Sequence, residues 1–220
     1  ESRSLSGMMV FRNEENPMKL YDSAMAPNPR RVRIFLAEKG ITVPTVQVDI
    51  AKAENRSPEF LARNPLGGVP VLELDDGTFL SESVAICLYF ELTHPQPPLL
   101  GTDARDKAVV EMWQRRVELG LWSYVTQAFR HIHPAMAQLE VPQVKEWGEA
   151  NRPKVMDFLA ILDKELAGRE FAAGDAFSVA DITGMIAVDF MKPAKLAVPE
   201  EMANVRRWHS ALAARPSASA

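Results

Sequence analysis

In the stretch "SAMAPNPRRVRIFLAEKG" (23–40), Asn28 stands before Pro29 just where alternating residues give way to apolar ones at helical spacing. The pair is predicted to be the N-cap and first residue of a helix. With its oxygen capping that helix, the Asn28 amide keeps an N–H to donate to an anion beside the positive helix end. Ser23 carries a hydroxyl nearer the strand end and is the lesser candidate. His131 and His133 are two apart in a helical pattern and share no face, so no metal site is predicted. Cys87, between Ile86 and Leu88, is expected to be packing and not a reactive thiol. As the single cysteine it excludes an internal disulfide framework, fits a reducing compartment and points to the cytoplasm.

These residues need elements to hold them. Residues 18–22 alternate as a half-buried strand does, and Val32, Phe35 and Leu36 line one side of the helix that Gly40 ends. "VPTVQVDI" (43–50) is a second strand, which a right-handed crossover makes parallel to the first. After a short helix at 57–64, Asp76-Gly77 joins two alternating runs as a hairpin, and Glu82-Ser83 opens another helix. Prolines 95, 97 and 98 mark a break. Beyond Asp103 the pattern is helical: one long helix towards His133, another from about Val144 to Leu166 containing Pro153, and a third that begins at Ser178 with Asp181 in its first turn. The expected organisation is a loose extension over 1–17, an α/β domain over 18–95, a linker over 96–102 and a helical domain over 103–220.

The chain has 220 residues, 47% hydrophobic and 25% charged, with a net charge of -4. That is an ordinary globular composition, with nothing basic enough to advertise nucleic acid and no apolar run of membrane-spanning length, so neither partner is predicted.

The order βαβ, α, ββα, with "NPLGGVPVL" before the hairpin, "SES" after it and "FAAGDAFSVADIT" in the helical part, resembles the cytosolic glutathione transferase family, bacterial type, over about residues 18–215. The resemblance implies a thioredoxin-like βαβαββα domain followed by an all-helical one, assembled as a homodimer. It implies a transferase that activates the thiol of its co-substrate glutathione, without a metal, for attack on a small hydrophobic electrophile. Two alternatives stand beside it: a glutathione-dependent disulfide or peroxide reductase, and a non-catalytic binding module of the same fold.

The resemblance also implies site residues. Val69, before a cis Pro70, would hold the cysteinyl part of glutathione through its backbone. Glu82 and Ser83 would grip the γ-glutamyl end, and the chemistry suits it: a hydroxyl and free helix N–H groups for a carboxylate, a carboxylate for an ammonium. Relatives often place Lys or Gln where Gly68 stands, and some place His where Asn55 stands. That leaves Asn55 and Arg56, with Lys52 in the same loop, for the glycyl carboxylate. Ala26 falls at the position of the usual serine and has no hydroxyl; some bacterial relatives carry "TPN" there, so Asn28 is expected to replace the hydroxyl. Met25, Trp122 and Phe129, with Tyr124, are the candidates for the electrophile pocket. Asp181 is given a role in folding.

Overall fold

In a computed structural model, residues 17–220 are described, so the extension expected over 1–17 lies, apart from Pro17, outside the described residues. Strands β1 (Lys19–Asp22), β2 (Thr45–Gln47), β3 (Val71–Glu73) and β4 (Phe79–Ser81) form one sheet in the order β2-β1-β3-β4. β1 runs parallel to β2, with Leu20 opposite Thr45, and antiparallel to β3, with Leu20 opposite Leu72. The β3–β4 hairpin turns at Asp76-Gly77, where Gly77 has φ 83°. β2 is shorter than the eight residues expected, because only Thr45–Gln47 keep the register with β1.

Period-two alternation sends side chains to two different layers. Leu20 and Leu72 join the main core with α1 (Pro27–Glu38) and α3 (Ser83–Thr93). Their neighbours Tyr21 and Val71 pack on the other face against Phe60 of α2 (Pro58–Arg63). Tyr21 is tied there by a 2.7 Å hydrogen bond from its hydroxyl to Glu73. Burial first and then that carboxylate push the phenol up to about 12, so it stays protonated.

The helical part runs through α4 (Ala104–Val117), α5 (Ser123–Ile132), α6 (Lys145–Leu166), α7 (Val179–Met191) and α8 (Ala203–Ala213). α6 runs unbroken through Pro153. The single helix expected from Asp103 to His133 is instead α4 and α5 joined by a π-helical turn at Glu118–Trp122. Gly120 is needed in that turn, because any Cβ there would collide with the Phe158 ring. Asp181 holds the start of α7, accepting hydrogen bonds from the N–H groups of Ser178 (3.0 Å) and Ala172 (2.7 Å) and from the buried indole of Trp208 (2.8 Å). Burial, opposed by these bonds, raises its pKa.

One core runs from the sheet into the helices without a break, from Leu20 to Leu212. Polar ties reinforce it where α1 is clasped by the end of the chain. Arg30 binds Asp189 of α7 at 2.6 Å and donates to the Ala218 carbonyl at 3.0 Å, while Asp189 also meets His209 of α8 at 2.7 Å. Glu38, at the other end of α1, accepts two hydrogen bonds from Arg215, at 2.8 and 2.7 Å. Lys39 meets Glu91 at 2.8 Å and the carbonyls of His94 and Pro97, fixing the segment between the two parts. No helix among the described residues is long and apolar enough to cross a membrane.

Candidate functional site

The helix that the sequence starts at Pro29 starts two residues earlier. Proline forces the residue before it into an extended backbone. Ala26, before Pro27, obeys with φ -87° and ψ 135° and becomes the N-cap. Asn28 is therefore inside the first turn and caps nothing. Its Oδ1 is buried and has no hydrogen-bond partner among the described residues, which leaves the amide uncommitted to the fold.

Asn28 lines a cleft of about 360 Å³ where the α/β part meets α4 and the π turn. Val69, Pro70, Glu82 and Ser83 line it too. The Val69–Pro70 bond is cis, and neither the N–H nor the C=O of Val69 takes part in a hydrogen bond among the described residues. Val69 thus offers one backbone donor and one acceptor just ahead of the start of β3, the pair that an extended peptide would use. Glu82 is the N-cap of α3 at φ 70°, a conformation that costs a non-glycine residue on the order of 1–3 kcal/mol. Ser83 is the first helical residue, so its hydroxyl is not the cap of α3. Both residues sit at the positive end of the helix, where free N–H groups favour a carboxylate.

The loop before Val69 is held by side chains that the sequence suggests for a ligand. Asn55 donates from Nδ2 to the Gly67 carbonyl at 2.8 Å, and Arg56 donates to the Leu66 carbonyl at 3.1 Å. Neither lines the cleft. Lys52 pairs with Asp49 at 3.0 Å on the exposed surface. Asn64, which sequence reasoning passed over, does line the cleft and donates to the Gly68 carbonyl at 2.9 Å. Gly67 has φ 64°, and a Cβ there would lie 2.7 Å from Arg56 Nη1 and 2.9 Å from the Asn55 carbonyl oxygen.

Opposite, the π turn presents Glu118, Leu119 and Trp122 to the cleft, followed by Ser123. Of the apolar wall expected, only Trp122 lies there. Met25 is 94% exposed and outside the cleft, while Phe129 packs against Phe190 and His133. Tyr124 has the Lys154 ammonium over its ring. Ser23 lies buried behind the α1 turn, where its carbonyl accepts from the Ala26 N–H. Cys87 is fully buried, its thiol pushed up to about 12 mainly by burial. His131 and His133 accept backbone N–H bonds from Val144 and Ala135.

The cleft also contains a charged group that sequence reasoning missed. Arg31 is 2% exposed and donates from Nη1 to Ser83 Oγ at 2.7 Å. Glu118 is 3.6 Å away and pairs with Arg115 at 2.9 Å. Burial lowers the Arg31 pKa, and the charges of Glu118 and Glu82 oppose it. Arg31 stands three and four residues before the buried Ile34 and Phe35, and that helical spacing is the signal that places it on the inner face.

Comparison with known proteins gives one consistent answer. Residues 16–91 match the family described as "Glutathione S-transferase, N-terminal domain", and residues 113–216 match "Glutathione S-transferase, C-terminal domain". The chain is 40% identical over 217 residues to "Glutathione S-transferase 2" of Saccharomyces cerevisiae, covering 96% of this chain and 93% of that protein. Among solved structures, a glutathione S-transferase domain-containing protein of Marinobacter aquaeolei superposes with a TM-score of 0.88 at 40% identity, over 90% of this chain and 98% of that one. Gtt2 of Saccharomyces cerevisiae superposes with a TM-score of 0.86 at 41% identity, over 90% and 97% of the two chains.

Proposed function

The chain belongs to the glutathione S-transferase family, and from that premise we propose a working order for its cleft. Glutathione lies extended along Val69, its cysteinyl backbone completing the free donor and acceptor there. Its γ-glutamyl group reaches the start of α3, with the carboxylate on Ser83 and the ammonium beside Glu82. The thiol then points to the first turn of α1, where Asn28 and the positive helix end stabilise the thiolate. Only a few per cent of a free thiol is ionised at neutral pH, so this stabilisation supplies the nucleophile. The second substrate, a small electrophile, enters along Leu119 and Trp122. Asn55 and Arg56 serve by shaping the 64–68 loop.

The observation that carries this reading is that Asn28, Val69, Pro70, Glu82 and Ser83, scattered over 56 positions of the sequence, line one cleft. Isothermal titration of the purified protein with glutathione, followed by conjugation of 1-chloro-2,4-dinitrobenzene, tests it. Saturable binding with conjugation is expected, and no binding at millimolar glutathione refutes it. Ala26, which puts no hydroxyl at the N-cap of α1, favours a second outcome of the same thiolate, attack on a disulfide or peroxide.

The protein is further proposed to act as a cytoplasmic homodimer. Leu88 and Leu92 of α3 are 45% and 71% exposed beside an apolar hollow of about 370 Å³ shared with α4, a face suited to a second copy. Two chains of 24.5 kDa would appear as one species in light scattering.

A further inference from the structure

The backbone pair at Val69 fixes which way an extended thiol peptide runs. A residue that exchanges both its N–H and its C=O with one partner residue makes the antiparallel pattern. A peptide whose cysteinyl residue pairs with Val69 in that way runs against residues 68–70, and its C-terminal residue falls beside Gly68, which lines the cleft.

At that place the side-chain donors are turned to the protein's own backbone. Three consecutive carbonyls are each taken by a different side chain: that of Leu66 by Arg56 at 3.1 Å, that of Gly67 by Asn55 at 2.8 Å and that of Gly68 by Asn64 at 2.9 Å. Asn64 is engaged at both ends of its amide, since its Oδ1 accepts the Leu66 N–H at 3.1 Å. Lys52 is held by Asp49 and, like Asn55 and Arg56, lies outside the cleft lining. The two arginines that do line the cleft, Arg31 and Arg115, come from α1 and α4 and pair with Glu118. Gly68 itself is exposed and brings no side chain, although the fold leaves room for one: a Cβ there would meet only Asn64 Nδ2, at an ordinary 3.5 Å.

Resting on the glutathione reading above, we propose that the cleft recognises the γ-glutamylcysteinyl part of its thiol and leaves the C-terminal residue unread. Its co-substrates then include γ-glutamylcysteine and glutathione derivatives altered at the glycyl carboxylate. That carboxylate stays in water beside Gly68, where a charge without a fixed partner contributes next to nothing to binding. γ-Glutamylcysteine keeps what Val69 needs, the cysteinyl N–H as donor and the adjoining carboxyl oxygen as acceptor.

The test is calorimetric titration of the full chain with three probes: glutathione, its glycyl ethyl ester and γ-glutamylcysteine. The three dissociation constants should agree within about threefold, and a loss of more than about threefold for either analogue overturns the proposal. Gly68→Lys supplies the missing partner and reads the position of the glycyl end directly. An exposed ion pair should raise the preference for glutathione over its ester by about two- to fivefold, while a rise of less than about twofold shows that the glycyl end is not beside Gly68 and overturns the proposal. Should that variant not fold, the wild-type comparison decides alone. A protein that binds none of the three probes overturns the glutathione reading as well, whereas one that binds glutathione alone overturns only the open C-terminal end.

Discussion

Replacing Ser83 by Ala removes a single oxygen, and the structure says what that oxygen does in two separate balances. In the free protein it is the acceptor for Arg31 Nη1, whose Nε and Nη2 already lack partners. Losing the last good acceptor of a buried cation costs about 2 kcal/mol, at the middle of the range for a bond to a charged group. In a chain of this size that lowers Tm by about 4–8 °C. Helix capping adds nothing to the loss, because the N-cap of α3 is Glu82 and alanine suits the first helical position. In the complex the same oxygen is proposed to donate to the γ-glutamyl carboxylate, and its loss should weaken glutathione about 10- to 100-fold. Thermal melts and calorimetric titration of the same preparation read both effects. Ser178→Ala is the control, since Ser178 sits on Asp181 at the start of α7, away from the cleft: it should lower Tm and leave glutathione affinity alone. A Ser83→Ala protein with unchanged Tm and a glutathione Kd within about twofold of wild type would refute the reasoning.

Gly67→Ala places a Cβ against Arg56 and the Asn55 carbonyl at φ 64°, where a left-handed backbone alone costs about 1–2 kcal/mol; a Tm lowered by several degrees and weaker glutathione binding are expected, measured by melting and titration. For Glu38, the Arg215 hydrogen bond first and Ser217 second, against burial, hold the carboxyl below the ordinary carboxylate value. A depressed acid contributes stability that is complete above its unfolded value and is lost as pH falls through the folded one. Glu38→Gln should therefore cost about 1 kcal/mol at pH 7 and progressively less between roughly pH 5 and pH 3, read from urea melts across that window; a cost that is the same at both ends would contradict it.

The fold was legible because its signals are local and repeated. Leu20 and Tyr21 alternate, Asp76-Gly77 turns a hairpin, and Ser178 with Asp181 starts a helix. The π turn at Glu118–Trp122 was not legible, since it keeps the helical hydrophobic pattern and is set by how closely Gly120 approaches Phe158. In the cleft, Val69, Pro70, Glu82 and Ser83 were named through the family resemblance, since they belong to the stretches "NPLGGVPVL" and "SES" that carry it. Asn28 lines the cleft, but its expected place as N-cap was misjudged: Pro27 and Pro29 compete for the helix start, and the extended backbone of Ala26 decides for Pro27. Asn55 and Arg56 have the donors a ligand would want, but the carbonyls of Leu66 and Gly67 are nearer. The apolar wall was the least legible part. Met25 and Phe129 differ from Trp122 in which side of a helix or turn faces the cleft, which composition does not reveal.

Titrating the thiolate absorbance of glutathione bound to the wild type and to Asn28→Ala tests whether the first turn of α1 activates the thiol. The proposed function predicts a bound thiol pKa well below the value of about 8.5 for a free cysteine thiol, rising towards it in Asn28→Ala with glutathione still bound. A bound thiol that titrates as the free tripeptide does, or a depressed value unchanged in Asn28→Ala, would contradict it.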